Sequence, residues 1–431
     1  MNPIEYITGH VDDWPIVLAI LTVSALFHYP AIKRTVRTAF DPLFLVMVGD
    51  VFATTVVAFM YLSSDIGLHH LLFFAASQLT LYAGYAAGRA CMTRRARPTP
   101  LRVSGRHFAG CVFLVTSTVN VMSTLAVWNL AGIPLFRVSR LGAFVGSGGF
   151  GVLERLASAS SGMALFAGLY LLLAVKVPPP RAWVYLFAVW LLGSTALSGS
   201  RSAFIGLLFW VFAYLWLYGG NPALRTRFWG GRLGGAMLGI SVLFALAVIA
   251  VQGGSGWLEA VAGLAIRLLS FGDVYIYAYP GDLIDQLQGS NPFVGLFGGF
   301  LSTFRLFPVE ALYTPIGLQF TEMIFPGLDY FAGPNPRHNV MAYHYFGWLG
   351  LGVSFVIGFI VMQVQRSAYA PTSLRFSSTL LRVTIYMSIA GLSVDVEYAL
   401  STLANTMLMY FLILLGAMML EAGRPPARSH A

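Results

Sequence analysis

Residues 42 to 62 read PLFLVMVGDVFATTVVAFMYL, an apolar run in which Asp50 is the single charged residue. A helix needs about 20 predominantly apolar residues to cross the hydrocarbon core of a bilayer, and this run is long enough. Ten further stretches of the 431-residue chain have the same character, some of them crossing only with tilt. The eleven predicted spans are residues 14–28, 42–62, 70–89, 109–130, 162–175, 183–197, 203–218, 233–251, 340–362, 377–392 and 401–420.

The composition agrees with these runs, because 57% of the residues are hydrophobic and only 10% are charged. Soluble domains carry about a quarter charged residues, so this chain could not cover a water-facing surface. A soluble multidomain enzyme and a nucleic-acid binder are therefore excluded, and the formal net charge of +9 indicates cytoplasmic loops. Cys91 and Cys111 lack CxxC or Cys/His spacing, so neither a disulfide framework nor a metal site is predicted.

The basic residues orient the chain, because Lys and Arg are retained on the cytoplasmic side during insertion. Most of them fall in alternate loops, which predicts a bacterial inner membrane protein with a periplasmic N-terminus and a cytoplasmic C-terminus. The predicted fold is an all-α polytopic membrane protein with about eleven transmembrane helices, within a range of 10 to 14. Its parts are N-terminal helices (1–131), a first periplasmic loop (132–161), central helices (162–251), a large, partly helical periplasmic loop that forms a cap (252–339), and C-terminal helices with a tail (340–431).

The predicted outer face has no lysine, yet it carries several arginines. The planar guanidinium fork keeps its charge in a low dielectric and fits phosphate oxygens bidentately. A set of arginines at the outer membrane edge therefore indicates an anion site, with pyrophosphate as the ligand that we expect. Ion pairing with acids and lipid headgroups is the alternative for each of them. The arginines are Arg137, Arg140, Arg155, Arg201, Arg267, Arg305 and Arg337.

Arg201 differs from the others because it lies in the short polar segment Ser198-Gly199-Ser200-Arg201-Ser202, between two apolar helices. Its guanidinium must lie close to membrane depth, where an ionisable group marks a functional site by default. Ser200 and its small neighbours allow close backbone approach and offer hydroxyl and amide groups at the start of the next helix, which favours an anion. Snorkelling of the side chain to the headgroups is the alternative.

Two further clusters lie within the large loop. Pro336-Arg337-His338-Asn339 precedes the ninth predicted span, and Arg337 favours the neutral imidazole that His338 needs to accept a hydroxyl proton. A helix cap is the alternative role of this histidine. The second cluster contains Arg267, Asp273, Tyr275 and Tyr277, which suits sugar stacking and hydrogen bonding to sugar hydroxyls. An interfacial tyrosine belt is the equal alternative.

These motifs resemble those of a known superfamily. The segment Ser198-Gly199-Ser200-Arg201-Ser202 is similar to the SxSRx signature of O-antigen polymerases and ligases. Arg337-His338-Asn339 with the downstream Gly347-Trp348-Leu349-Gly350 resembles the HN and GxxG motifs of that superfamily. The segment 132–137 looks like the start of the outer loop in Wzy-type oligosaccharide repeat-unit polymerases.

The resemblance implies a metal-independent, inverting glycosyltransferase of the GT-C type that needs no cofactor. The implied donor is an undecaprenyl-pyrophosphate-linked oligosaccharide, used in O-antigen, exopolysaccharide or capsule synthesis at the periplasmic face. Membrane lipids and a chain-length regulator protein are the implied partners. Arg201 and Arg267 would hold the pyrophosphate, Arg337 would assist, and His338 would orient or deprotonate the acceptor hydroxyl. Further expected substrate contacts come from Arg137, Arg140, Arg305, Asp273, Tyr275, Tyr277, Asn339 and Ser200.

Two other functions compete with the polymerase. A ligase of the same superfamily would transfer the glycan to lipid A-core, and the acceptor alone distinguishes it. A transporter of lipid-linked sugars would need charged residues near mid-membrane in several spans. In the sequence nearly all charges fall at the edges of the predicted spans, with Asp50 as the main exception, which favours an enzyme.

Overall fold

The computed structural model describes residues 5–6, 9–91, 106–136, 151–175, 181–200, 202–218, 232–253, 256–327, 333–370 and 375–422. Within these ranges the chain is helical and contains no β-strand. The α-helices are α1 (Trp14–Thr35), α2 (Pro42–Leu62), α3 (Leu68–Ala90), α4 (Arg106–Ala131), α5 (Gly151–Leu169), α6 (Arg181–Leu197), α7 (Ala203–Tyr218), α8 (Arg232–Gly253), α9 (Trp257–Leu269), α10 (Asp273–Ala278), α11 (Pro292–Thr303), α12 (Ile316–Ile324), α13 (Arg337–Phe346), α14 (Gly350–Tyr369), α15 (Phe376–Ile389) and α16 (Val396–Ala422).

Each of the eleven predicted apolar stretches is helical. Among the described residues, however, only seven helical segments are both long and apolar enough to cross a membrane, so the expected count of about eleven is not reached. Several predicted spans are shorter apolar helices, as in Ala182–Leu197 and Ala203–Tyr218. The seven segments are Trp14–Thr35, Pro42–Leu62, His107–Phe136, Leu153–Val175, Glu259–Ala278, Arg337–Tyr369 and Val396–Gly416.

The outer surface of the bundle is apolar. Large side chains such as Val23 and Leu26 on α1 are exposed over 67% and 69% of their surface, and Met419 on α16 is exposed over 69%. Apolar side chains in such number do not face water in a soluble monomer. Helices with this length and surface indicate a helical protein embedded in a membrane.

Glycines bring α3 and α14 into close contact. A Cβ atom built on Gly84 would collide with the backbone oxygen of Phe355, and one on Gly358 would collide with the backbone oxygen of Leu81. Gly88 faces the carbonyl oxygen of Phe359 in the same way. Small residues at this spacing let two helix backbones approach closely within a membrane. The contact therefore joins a helix from the N-terminal part of the chain to one from the C-terminal part.

The segment 257–278 differs from the expected outer cap. A short 3₁₀ turn, Ser270–Gly272, joins α9 to α10 and packs against the middle of α2. A Cβ atom on Gly49 would lie 2.9 Å from the ring of Phe271, and one on Gly272 would lie 2.8 Å from Val56. This part of the predicted loop therefore packs among the helices, alongside the residues that precede and follow Asp50.

The ninth predicted span is also interrupted. Residues 340–362 belong to two helices, α13 and α14, separated by the 3₁₀ turn Gly347–Leu349. Gly347 has φ +53°, a left-handed conformation that glycine adopts without a Cβ clash. The break separates the short helix α13, which carries the HN motif, from the long helix α14.

Candidate functional site

The first turn of α13 is fixed by backbone contacts from another helix pair. The N–H groups of Arg337 and His338 donate to the carbonyl oxygens of Val394 and Ser393, at 2.8 and 2.9 Å. These carbonyls belong to the turn between α15 and α16. Arg337 has φ +46°, a left-handed conformation that costs an L-residue about 1–2 kcal/mol. Such conformations persist only where the surroundings impose them, and they concentrate at functional sites.

Arg337 forms a buried ion pair with Asp50. Its Nη2 atom contacts Oδ1 of Asp50, and its Nη1 atom donates to the backbone oxygen of Phe271 at 3.3 Å. The two charged side chains are 1% and 0% exposed. A buried pair of this kind offsets the desolvation of each charge only while both partners are present. The pair therefore ties α13 to α2 and to the turn before α10.

The position of the pair corrects an expectation from the sequence. Asp50 is the ninth residue of α2, about 12 Å along a helix that rises 1.5 Å per residue. This is near the middle of α2, so Arg337 reaches the depth of Asp50 instead of the membrane edge. The guanidinium is also engaged by Asp50 and Phe271, and it is not free to bind a diphosphate with its whole fork. Arg337 is therefore a positioning residue in this arrangement.

A hydrogen-bonded chain extends from the ion pair toward α1. The hydroxyl of Tyr82 donates to Oδ2 of Asp50 at 3.5 Å and contacts Nδ1 of His28. The other ring nitrogen of His28, Nε2, lies 2.8 Å from the hydroxyl of Thr54. His28 is fully buried. The chain links α1, α2, α3 and α13 through polar groups within an otherwise apolar interior.

The two clusters in the predicted large loop meet in the structure. The hydroxyl of Tyr275 donates to Oδ1 of Asn339 at 2.7 Å, and both side chains are fully buried. Asp273, two residues earlier, interacts electrostatically with Arg267 and with Arg337. Segments about 65 residues apart in the chain therefore form one site around the Tyr275–Asn339 hydrogen bond.

His338 lies at the centre of this site. Its Nδ1 atom is 2.9 Å from the hydroxyl of Ser354 on α14, and its ring is fully buried. Within the described part of the chain, Nε2 of His338, Nε of Arg337 and Nδ2 of Asn339 have no hydrogen-bond partner. Buried polar atoms are almost always paired. Three consecutive residues with one unpaired atom each therefore mark a place that can accept a polar ligand.

The remaining predicted site residues are distributed differently. Arg267 is exposed on α9, and Tyr277 is buried in α10. Arg305 is exposed just after α11, where its N–H donates to the carbonyl oxygen of Ser302 at 3.0 Å. Ser200 forms the turn before α7, where its carbonyl oxygen accepts from the N–H of Ala203 at 3.2 Å. Arg137, Arg140 and Arg201 lie outside the described residues.

A polar cavity of about 320 Å³ lies between α5, α7, α15 and α16. Its volume is within the range of about 300–1,000 Å³ that is typical of small-molecule sites. The wall combines hydroxyl and amide groups with two aromatic residues, one acidic residue and one basic residue, among them Ser401, Thr402, Asn405, Trp210, Tyr398, Glu154 and Arg155. The cavity is formed in part by the α15–α16 pair, whose connecting turn holds the start of α13.

Sequence reasoning missed most of this polar interior. His28, Tyr82 and Ser354 were not singled out, and Asp50 was noted only as an exception to the edge placement of charges. A charged residue in the middle of an apolar span was the available signal. The missing information was its partner, because Asp50 and Arg337 are 287 residues apart in the chain.

Searches against protein-family models, curated proteins and solved structures found no match for the chain. The resemblance to O-antigen polymerases and ligases therefore depends on the short motifs alone.

Proposed function

We propose that the chain is a membrane glycosyltransferase that polymerises undecaprenyl-pyrophosphate-linked oligosaccharide repeat units. In this proposal it is a GT-C-type enzyme with about eleven spans, and it acts by metal-independent inverting transfer at the periplasmic face of a bacterial inner membrane. The observation that carries the proposal is the convergence of residues 267–277 with residues 337–339, joined by the Tyr275–Asn339 hydrogen bond. The helical state of all eleven apolar stretches supports the topology.

The proposed reaction uses the cluster in the following way. An acceptor hydroxyl oxygen attacks the anomeric carbon of the donor, and the bond from that carbon to the diphosphate breaks. The diphosphate leaves with the bonding electron pair, and Arg267 and Arg201 neutralise its charge. The hydroxyl proton passes to Nε2 of His338, while Ser354 and Arg337 hold the imidazole in place. Because His338 is fully buried, the acceptor reaches it only if the packing around the start of α13 opens.

The polar cavity supports the same proposal. Hydroxyl and amide side chains hydrogen-bond sugar hydroxyl groups, and Trp210 offers an aromatic face for stacking on a sugar ring. An acyl chain would gain nothing from such a lining. We therefore assign this cavity to the glycan part of a lipid-linked substrate.

Substitution of Arg267 tests the proposal. Arg267→Ala should abolish long polysaccharide while single repeat units accumulate, since loss of one charge-stabilising contact lowers the rate by about 10²–10³. Arg34→Ala is the matched control, because it also removes an exposed arginine, but from the predicted cytoplasmic side. Gel analysis of the polysaccharide and of lipid-linked intermediates gives the readout. Unchanged chain length in both Arg267→Ala and Arg201→Ala would contradict the proposal.

The choice of acceptor distinguishes a ligase from a polymerase. Purified protein incubated with lipid-linked repeat units should lengthen them, whereas a ligase should transfer them only to added lipid A-core. Product mass distinguishes the two outcomes.

A transporter of lipid-linked sugars is the second candidate function, and the Asp50–Arg337 pair favours it. Charged pairs at mid-depth of a membrane protein often belong to substrate or proton pathways. Asp50→Asn tests this alternative when flipping of a fluorescent polyprenyl-diphosphate lipid is measured in proteoliposomes. Flipping that depends on Asp50, without any polymer formation, would favour the transporter.

A further inference from the structure

Three potential metal ligands meet at one end of the bundle, apart from the site described above. His69 and His70 begin α3, and Asp282 lies in the turn that follows α10. The Nε2 atom of His70 is 3.4 Å from Oδ1 of Asp282, and the Nε2 atom of His69 is 3.9 Å from the same oxygen. One ligand atom from each residue lies within 4.8 Å of the other two.

These separations are close to those around a tetrahedral zinc ion. Zn–N and Zn–O bonds of about 2.0–2.2 Å at tetrahedral angles place neighbouring ligand atoms about 3.4 Å apart. The His70–Asp282 separation already has this value, and the His69–Asp282 separation exceeds it by only a few tenths of an ångström. Rotation of the exposed His69 and Asp282 side chains would bring their ligand atoms closer to this spacing around the buried His70.

The local structure directs all three side chains to one point. Adjacent residues on a helix normally point in different directions. In this first turn, however, the two imidazole rings lie 3.8 Å apart, and the ring of His70 stacks on Tyr279 at 4.5 Å. Gly281 and Asp282 are both left-handed, with φ of +64° and +53°, and this turn directs the carboxylate toward the histidines.

A simple histidine–carboxylate ion pair explains the arrangement less well. Imidazole is mostly neutral at pH 7, and protonation of two rings 3.8 Å apart would bring like charges together. Neutral imidazole is the form that ligates a transition metal. The cluster offers two imidazole nitrogens and one carboxylate, a donor set that suits zinc.

The geometry points to a divalent transition-metal site, and we propose that His69, His70 and Asp282 bind Zn²⁺ with water in the fourth position. His70 is 3% exposed while His69 and Asp282 are open to solvent, so the ion enters from the aqueous side. The bound ion would clamp the turn at residues 280–286 onto α3. That turn directly follows α10, so the metal would fix the helix that carries Tyr275 without taking part in glycosyl transfer.

The full-length protein in lipid nanodiscs, stripped with EDTA, provides the test. We expect one zinc ion per chain at micromolar free Zn²⁺ by elemental analysis, and a zinc-dependent rise of a few degrees in the melting temperature. Co²⁺ in place of zinc should give the visible absorption bands of a tetrahedral site. A wild-type protein that retains no stoichiometric metal would overturn the proposal.

Substitutions at the exposed ligands identify the site. His69→Ala and Asp282→Asn should each weaken zinc binding by at least about tenfold. Asparagine tolerates the left-handed backbone at position 282, so the turn should persist in that variant. His107→Ala, which removes an exposed histidine at the start of α4, is the matched control and should bind as the wild type does. Wild-type affinity in both site variants, or equal loss in the control, would also overturn the proposal.

Discussion

Two buried aspartates on the same stretch of chain have contrasting surroundings. Asp41 and Asp50 are both 0% exposed, yet the carboxylate of Asp41 is saturated by neutral donors. Its Oδ1 accepts from the Leu43 N–H at 3.2 Å and from the Tyr386 hydroxyl. Its Oδ2 accepts from Gln365 at 2.8 Å and from the Arg37 N–H at 3.3 Å. This carboxylate caps α2 and joins it to α14 and α15.

Among the described residues, Asp50 has one strong partner, the guanidinium of Arg337, and its second oxygen has a long 3.5 Å contact with Tyr82. Polar atoms of Arg337, His338 and Asn339 have no partner within the described ranges. A fully satisfied network fixes a structure, whereas a partly satisfied one retains capacity for a ligand. The contrast indicates that the Asp41 region supports the fold, whereas the Asp50 region includes the candidate functional site.

The largest expected effect follows removal of one member of the buried ion pair. Asp50→Ala leaves the guanidinium of Arg337 buried without a counter-charge, which costs about 3–5 kcal/mol. We expect a fall of this size in the free energy of unfolding, measured by thermal and denaturant unfolding in detergent. The same variant should lose activity, because Arg337 no longer positions the start of α13.

A double variant separates the charge effect from the loss of packing. Asp50→Leu combined with Arg337→Met removes both charges and keeps apolar volume, so it should be more stable than Asp50→Ala. If the double variant is less stable than Asp50→Ala, the unpaired charge of Arg337 is not the cause of the lower stability of Asp50→Ala.

His338 gives the next largest effect, on rate. His338→Ala removes the proposed base and should lower the polymerisation rate by about 10²–10⁴. Ser354→Ala leaves the base but removes the partner of Nδ1, a single hydrogen bond, so the rate should fall by about tenfold or less. Single-turnover assays with lipid-linked repeat units provide the measurement. A wild-type rate in His338→Ala would exclude the base role.

Substitutions in the Asp41 region should lower the stability of the protein without changing its activity. Tyr386→Phe removes one hydrogen bond to a charged acceptor, which is worth about 1.5–3 kcal/mol. The melting temperature should fall, while the specific activity of the folded protein should stay at the wild-type value. If this variant loses activity without losing stability, the Asp41 region is not purely structural, and the proposed difference in role between Asp41 and Asp50 is wrong.

Local patterns predicted the helices but not the contacts between them. The bounds 42–62 coincide with α2, because an apolar run preceded by the Asp-Pro pair at 41–42 contains its own start signal. The break at Gly347 was missed, since apolar residues continue on both sides of it.

Long-range pairing explains the rest of the site. The contact of Tyr275 with Asn339, and of Asp50 with Arg337, depends on how helices pack, and no local spacing encodes it. The cluster of His69, His70 and Asp282 also depends on long-range packing, because His70 and Asp282 are more than 200 residues apart in the chain.

The smallest predicted effect concerns the turn that holds α13 in place. Asp395 ends this turn and caps α16 by accepting from the Tyr398 N–H at 2.8 Å. Burial raises the pKa of Asp395 to about 6 from its ordinary value of 3.8. The folded chain therefore binds this proton more tightly than the unfolded chain does, and stability should fall as the pH rises from about 4 to about 6.

Asp395→Asn tests this dependence, because asparagine keeps the cap but does not titrate. Other groups titrate in the same range, so the difference between variant and wild type is the informative quantity. The variant should be more stable than the wild type above pH 6, and the two should converge below pH 4. If the stabilities of the two proteins change in parallel with pH, the carboxylate of Asp395 titrates at its ordinary pKa. The turn that holds Arg337 and His338 would then be more open to water than its burial indicates.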